Sequence, residues 1–160
     1  MSLIETMIYA AALALIAAVL IGVFLPLSRI LRDIQAGRDI QKSARVSLER
    51  MTRDIHSASD VGAGSILDSH PGLLVLTIPQ EDGGETETEF YLQNGVLAAE
   101  SGGEAEGGLS SSKVSVSNLV FRVLDNGKSK LVKIEMTLQK PTSGGVKVAD
   151  FYTSAITRSY

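Results

Sequence analysis

Apolar and polar residues divide this chain before any motif does. From Thr6 to Leu27 no side chain carries a charge. A helix needs about 20 predominantly apolar residues to cross the hydrocarbon core of a bilayer, so the run predicts one membrane-length helix. A secretory signal peptide would need a basic segment ahead of the apolar stretch, and residues 1–5 contain no Lys or Arg. A buried core helix rarely stays uncharged over so many turns. Past Pro26 the pattern becomes amphipathic. Leu27, Ile30, Leu31 and Ile34 share one face, and Ala44, Leu48, Met51, Ile55 and Ala58 recur at helical spacing. Between these stripes, Gln35 to Ser43 is mostly polar. The pattern predicts one long helix ending near Asp60, with Gly62 and Gly64 as stop signals. At 1.5 Å per residue it would extend about 80 Å. Gly22 and Pro26 are expected to interrupt it, because an interior proline removes a backbone hydrogen bond and clashes with the preceding turn, at about 3 kcal/mol. The second stripe is expected to pack on a sheet. The first lies too close to the membrane to reach it.

The remainder reads as β-structure. Leu73 to Ile78 is β-rich and ends at Pro79, and Glu85 to Leu92 alternates, with Thr86, Thr88, Phe90 and Leu92 opposing or edging the core. Asn94-Gly95 signals a hairpin into a short strand, Val96 to Ala99. Val114 to Leu124 and Leu131 to Leu138 are joined across Asp125-Asn126-Gly127-Lys128, and Val148 to Ile156 forms the last strand. The Gly/Glu/Ser-rich stretch Ser101 to Ser112 reads as a mobile loop. A long helix followed by five or six antiparallel strands is an α+β class. Three regions follow: 1–27, a transmembrane or filament-core helix; 28–60, an amphipathic helix continuing into the globular part; and 61–160, a β-rich domain.

Composition adds limits. A chain of 160 residues suits one compact domain with one extension. The net charge of −3 does not indicate nucleic-acid binding. With no cysteine there is neither a disulfide nor thiolate chemistry. Arg29, Arg32, Arg38, Lys42, Arg45, Arg50 and Arg53 read as a solvated helix face, with lipid or subunit contact as the lesser reading. His56 falls on the helix and His70 in a turn, without metal-ligand spacing. No nucleophile elbow, phosphate loop or dinucleotide fingerprint occurs. Glu81, Asp82, Glu85, Glu87 and Glu89 form an acidic cluster whose carboxylates suit calcium. The EF-hand pattern is absent, and the spacing favours a solvated loop. The reading therefore assigns no catalytic, cofactor or metal site, and no enzyme activity.

The flanks of the apolar run carry the sharper argument. Its first basic residues, Arg29 and Arg32, follow it. The positive-inside rule would then place the C-terminal part in the cytoplasm, unless a basic leader once preceded Met1. Glu5 stands one position before the run. A carboxylate at membrane depth is costly and by default suggests a functional site. Met1-Ser2-Leu3-Ile4-Glu5-Thr6 followed by an apolar helix resembles the start of a mature type IV pilin or type II secretion pseudopilin. In that family a short basic leader ending in Gly is removed by a prepilin peptidase, which also methylates the new N-terminus. The family glutamate is the fifth mature residue, here Glu5; Met1 stands where Phe is commoner. Val116 to Leu124, Ile134 to Leu138 and Phe151 to Tyr160 are similar to the J-type pseudopilins and minor pilins.

The resemblance implies a structural subunit of a pilus-like filament. Its N-terminal helices pack together, and Glu5 pairs with the Met1 amine of a neighbour. Partners would be identical or related subunits, the peptidase and assembly machinery, and membrane lipid before assembly. The chain would be single-pass in the inner membrane, then part of a surface filament or periplasmic pseudopilus. Gly22 to Pro26 resembles the region where pilin helices loosen on packing. The alternatives are a minor pilin or pseudopilin at a filament tip, or a membrane-anchored binding protein with no filament. N-terminal sequencing of assembled protein is expected to begin at an N-methylated Met1; residual leader on assembled chains would refute that.

Overall fold

A computed structural model of the chain describes residues 3–80, 83–142 and 144–158. One helix, α1, runs from Leu3 to Ser57, 55 residues, or about 80 Å at 1.5 Å per residue. It does not break at Gly22 or Pro26, as the sequence had suggested: the backbone stays helical through both. One missing backbone hydrogen bond is a small fraction of those holding so long a helix, and a penalty of about 3 kcal/mol is spread over well-formed turns on both sides. The helix closes where Ala58 N–H donates to Asp54 O at 2.9 Å and Ile55 O at 3.2 Å.

Among the described residues eight strands follow, where five or six were expected: β1 (Asp60–Val61), β2 (Leu74–Pro79), β3 (Glu85–Gln93), β4 (Val96–Ser101), β5 (Glu104–Gly108), β6 (Ser115–Asp125), β7 (Lys130–Thr142) and β8 (Gly145–Ile156). They form two antiparallel sheets, β1-β2-β3-β4-β5 and β6-β7-β8, so the fold is α+β, with two sheets in place of one. The β3–β4 hairpin turns at Asn94 and Gly95, with φ of 52° and 75°. That left-handed pair is what Asn-Gly supplies at low cost. At the β6–β7 turn, Asn126 Oδ1 accepts from Lys128 N–H at 3.0 Å and Ser129 N–H at 2.8 Å. β5 occupies the stretch read as a mobile loop. All its residues are exposed, so it carries no apolar alternation. It is a strand because β4 offers it an edge, with Ala98 opposite Gly108 and Ser101 opposite Glu104.

The core is one cluster shared by the helix and both sheets. Met51, Ile55 and Ala58 are fully buried against Leu74, Phe90, Leu97, Phe121, Ile134 and Met136. Leu48 is partly buried against the same cluster, so the second apolar stripe does pack on the sheets. The buried face also begins earlier than its spacing suggested, at Ala36, Ile40 and Ser43. Small residues at 36, 43, 44 and 47 let the helix lie close to the sheet without needing an apolar signal. Strand β7 alternates as a one-sided strand should, burying Val132, Ile134, Met136 and Leu138. The sheets are stitched by backbone: Gly72 N–H donates to Leu119 O at 3.0 Å, and Val116 N–H to Gly95 O at 2.7 Å. A Cβ on Gly72 would sit 2.9 Å from Phe121 Cδ2 and 3.1 Å from Leu119 O, so only glycine allows this approach.

Because the core uses no residue before Ala36, a fragment lacking residues 1–27 is expected to fold as a soluble monomer. In that fragment Met51→Ala should lower stability by about 2–5 kcal/mol, the usual cost of emptying a buried side chain. Chemical unfolding measures both. A fragment without cooperative unfolding would place the core boundary elsewhere.

Candidate assembly and membrane-insertion surface

Among the described residues, none of Leu3–Phe24 is buried by the rest of the chain. Leu3–Phe24 is a segment long and apolar enough to span a membrane, with mean hydropathy 2.6 and none of it buried. Leu3, Leu13 and Phe24 are exposed by 80%, 73% and 73%. The apolar surface runs all round the helix, where a soluble helix has one stripe. Leu27, Ile30, Leu31 and Ile34 remain exposed too, beyond reach of the sheets as their position predicts. Continuous apolar surface on this scale is a surface for lipid or other protein.

Glu5 lies in the first turn. There the helix dipole favours a carboxylate by about 0.3–1 kcal/mol. It is half-exposed and not without a partner in the chain. Next to it Thr6 Oγ1–H donates to Leu3 O at 2.8 Å. Met1 lies outside the described residues. Gly22 has open space around it, in mid-helix rather than at a break.

Two ion pairs, which no spacing rule reveals, hold β7 at its two ends, one to β1 just past the end of α1 and one to α1 itself. At the top, Lys130 Nζ is 2.5 Å from Asp60 Oδ1. This bond holds the Asp60 carboxyl below its ordinary 3.8, burial opposing the shift and Val61 N–H adding to it. Lower down, Lys140 bonds Asp39, and that bond lowers the Asp39 carboxyl likewise. Strand β7 therefore runs back down the helix, from the level of residue 60 to that of residue 39. Beyond it, Lys147 Nζ–H donates to Asp33 O at 3.1 Å. Arg50 bonds Asp54 Oδ2 at 2.7 Å and Glu106 Oε2 at 2.8 Å, tying β5 to the helix. Asp54 is the main cause of the raised Arg50 guanidinium, with burial opposing.

Chemistry elsewhere is sparse. A groove of about 1140 Å³ lies between α1 and the ends of β2 and β8, lined by Arg45, Leu48, Arg53, His56, Thr153 and Arg158 among others. His56 Nδ1 lies 3.0 Å from Ile156 O, and His70 Nδ1 accepts Leu119 N–H at 3.1 Å. Both histidines thus hold backbone. Of the acidic cluster, Glu81 and Asp82 lie outside the described residues. Glu85, Glu87 and Glu89 lie along β3, not in a loop, on the face opposite buried Thr88 and Phe90. Among the described residues no three His, Asp or Glu side chains converge as metal ligands. Searches for related proteins add nothing to this geometry: no family profile, curated protein or solved structure matches the chain.

The two lowered carboxyls set an acid limit. Unfolded, each takes up its proton near 3.8; folded, only at lower pH. Their contribution is therefore complete above the unfolded value and lost as pH falls through the folded one. The urea midpoint of the soluble fragment is expected to drop as pH is lowered from about 5 to about 3. Asp39→Asn with Asp60→Asn should flatten that slope; an unchanged slope would remove these pairs from the acid response.

Proposed function

We propose that this chain is a structural subunit of a type IV pilus-like filament. It is held in a membrane by residues 1–27 and assembled by packing of the N-terminal helices. The observation that carries the reading is a single unbroken helix with two different surfaces. One end is apolar all round with none of it buried in the chain; the other is locked into a folded head. A helix of this kind can exchange lipid for neighbouring helices without refolding its head. Glu5 at the start of the apolar run supports the same reading, as do the residues flanking it that resemble the pilin N-terminus. In a filament core the Glu5 carboxylate is taken to be neutralised by the Met1 amine of a neighbour. That pairing would set the axial register of each incoming subunit.

The groove over His56 favours a second reading, an anchored protein whose head binds a ligand or partner. A minor pilin or tip pseudopilin remains the nearer variant of the first. Filament assembly separates the two classes. Breaking a buried ion pair costs about 3–5 kcal/mol. Glu5→Ala or Glu5→Gln is therefore expected to leave membrane insertion intact while abolishing or slowing assembly. Filament yield by electron microscopy, with a blot of the membrane fraction, reads both. Unchanged filament numbers in Glu5→Ala would end the pairing idea; no filaments from the unaltered chain would favour the anchored binding protein.

A further inference from the structure

The β7–β8 hairpin points at the membrane. β7 runs from Asp60, just past the C-terminal end of α1, back to Asp39 on α1, and its last residues, Pro141 and Thr142, line a small cleft with Arg32 and Gln35. Arg32 is eight residues past Phe24, where the span ends, and five past Leu27. The hairpin tip therefore stands about 8–12 Å above the hydrocarbon boundary. Headgroups fill about 5–8 Å on each side of the hydrocarbon core. A lysine side chain spans the difference.

The charge around residues 32–42 of α1 is predominantly positive. Arg32, Arg38, Lys42, Lys140 and Lys147 lie there against Asp33 and Asp39. Lys113 is near enough to help lower the Asp39 carboxyl. The opposite charge is held away. Residues 83–106 contain six Asp/Glu and no Lys or Arg, and Glu106 is tied at the level of Arg50, about 27 Å further along the helix axis than Arg32. Val146 adds an exposed apolar side chain next to the tip. The head is thus an electric dipole with its positive end toward the bilayer, and anionic headgroups attract cations within about a Debye length of the surface.

We infer that, before assembly, the β7–β8 hairpin seats on anionic phospholipid headgroups through Lys147 with Arg32, holding the head upright on the bilayer, while Lys140 stays on Asp39. The inference rests on the membrane-anchored part of the reading above and not on the filament. It deepens that reading by naming the lipid chemistry.

The test uses the full chain reconstituted in vesicles of phosphatidylcholine, with or without phosphatidylglycerol. The chain has no cysteine, and a Cβ at Gly144 meets nothing within 4 Å. Gly144→Cys therefore carries a fluorophore at the hairpin tip, read by quenching from headgroup-labelled lipid. Strong quenching is expected with phosphatidylglycerol, weak quenching without it and in high salt. Arg32→Gln and Lys147→Gln should each shift the seated population about five-fold. Equal quenching in both vesicle types, or no change in either variant, overturns the inference. Flotation keeps the two failures apart. A chain that floats with vesicles but is not quenched refutes only the seating, whereas a chain that does not float refutes the anchor and the seating together.

Discussion

One helix has to satisfy two environments, and the rest of the molecule follows from where it changes over. Among the described side chains of α1 up to Ile34 none is fully buried; from Ala36 onward one face packs against sheet. Backbone hydrogen bonds are satisfied inside the helix in either setting, which is why a helix and not a strand can pass from lipid to a protein core. Only the side chains change: all-round apolar first, then one stripe of Ala44, Met51, Ile55 and Ala58 with charged residues on the other faces. The change occurs inside one continuous helix, Leu3–Ser57.

The two sheets are separate hydrogen-bonded units that share one core through this helix. Neither buries its inner face alone: Phe90 and Leu97 come from one, Phe121, Ile134 and Met136 from the other, and all meet around Met51 and Ile55. The polar ties divide the labour differently. Lys130–Asp60 and Lys140–Asp39 set the direction of β7 along α1, while Arg50 pins the otherwise exposed β5. Exposed pairs of this kind contribute little each to stability; here Lys140 on Asp39 and Arg50 on Glu106 join β7 and β5 to α1.

The same ties separate charge along the molecule. Acidic strands stand high on the helix and basic side chains low, near the end of the apolar segment.

The long helix, its membrane-length apolar half and the α+β class were legible in the residue pattern, because helical periodicity and a charge-free run are local signals. So were the Asn94-Gly95 and Asp125 to Lys128 turns, whose residues dictate their own backbone. The pattern misled where a local rule was outweighed or silent. Pro26 does not end the helix, because the turns around it supply more than the proline removes. Glu104–Gly108 is a strand with no apolar alternation, made one by the neighbouring edge of β4. The early buried positions Ala36 and Ser43 are small rather than apolar, so their place against the sheet has no periodic signature. Glu5 and the apolar run were visible in sequence. The basic collar was not: it joins residues more than 100 positions apart, such as Asp33 and Lys147, and only the return of β7 down the helix brings them together. Sequence alone determined which segments could live in lipid and which in a core. Tertiary structure decided what stands at the border between them, because charge pairing across distant strands depends on register, and register is a property of the packed whole.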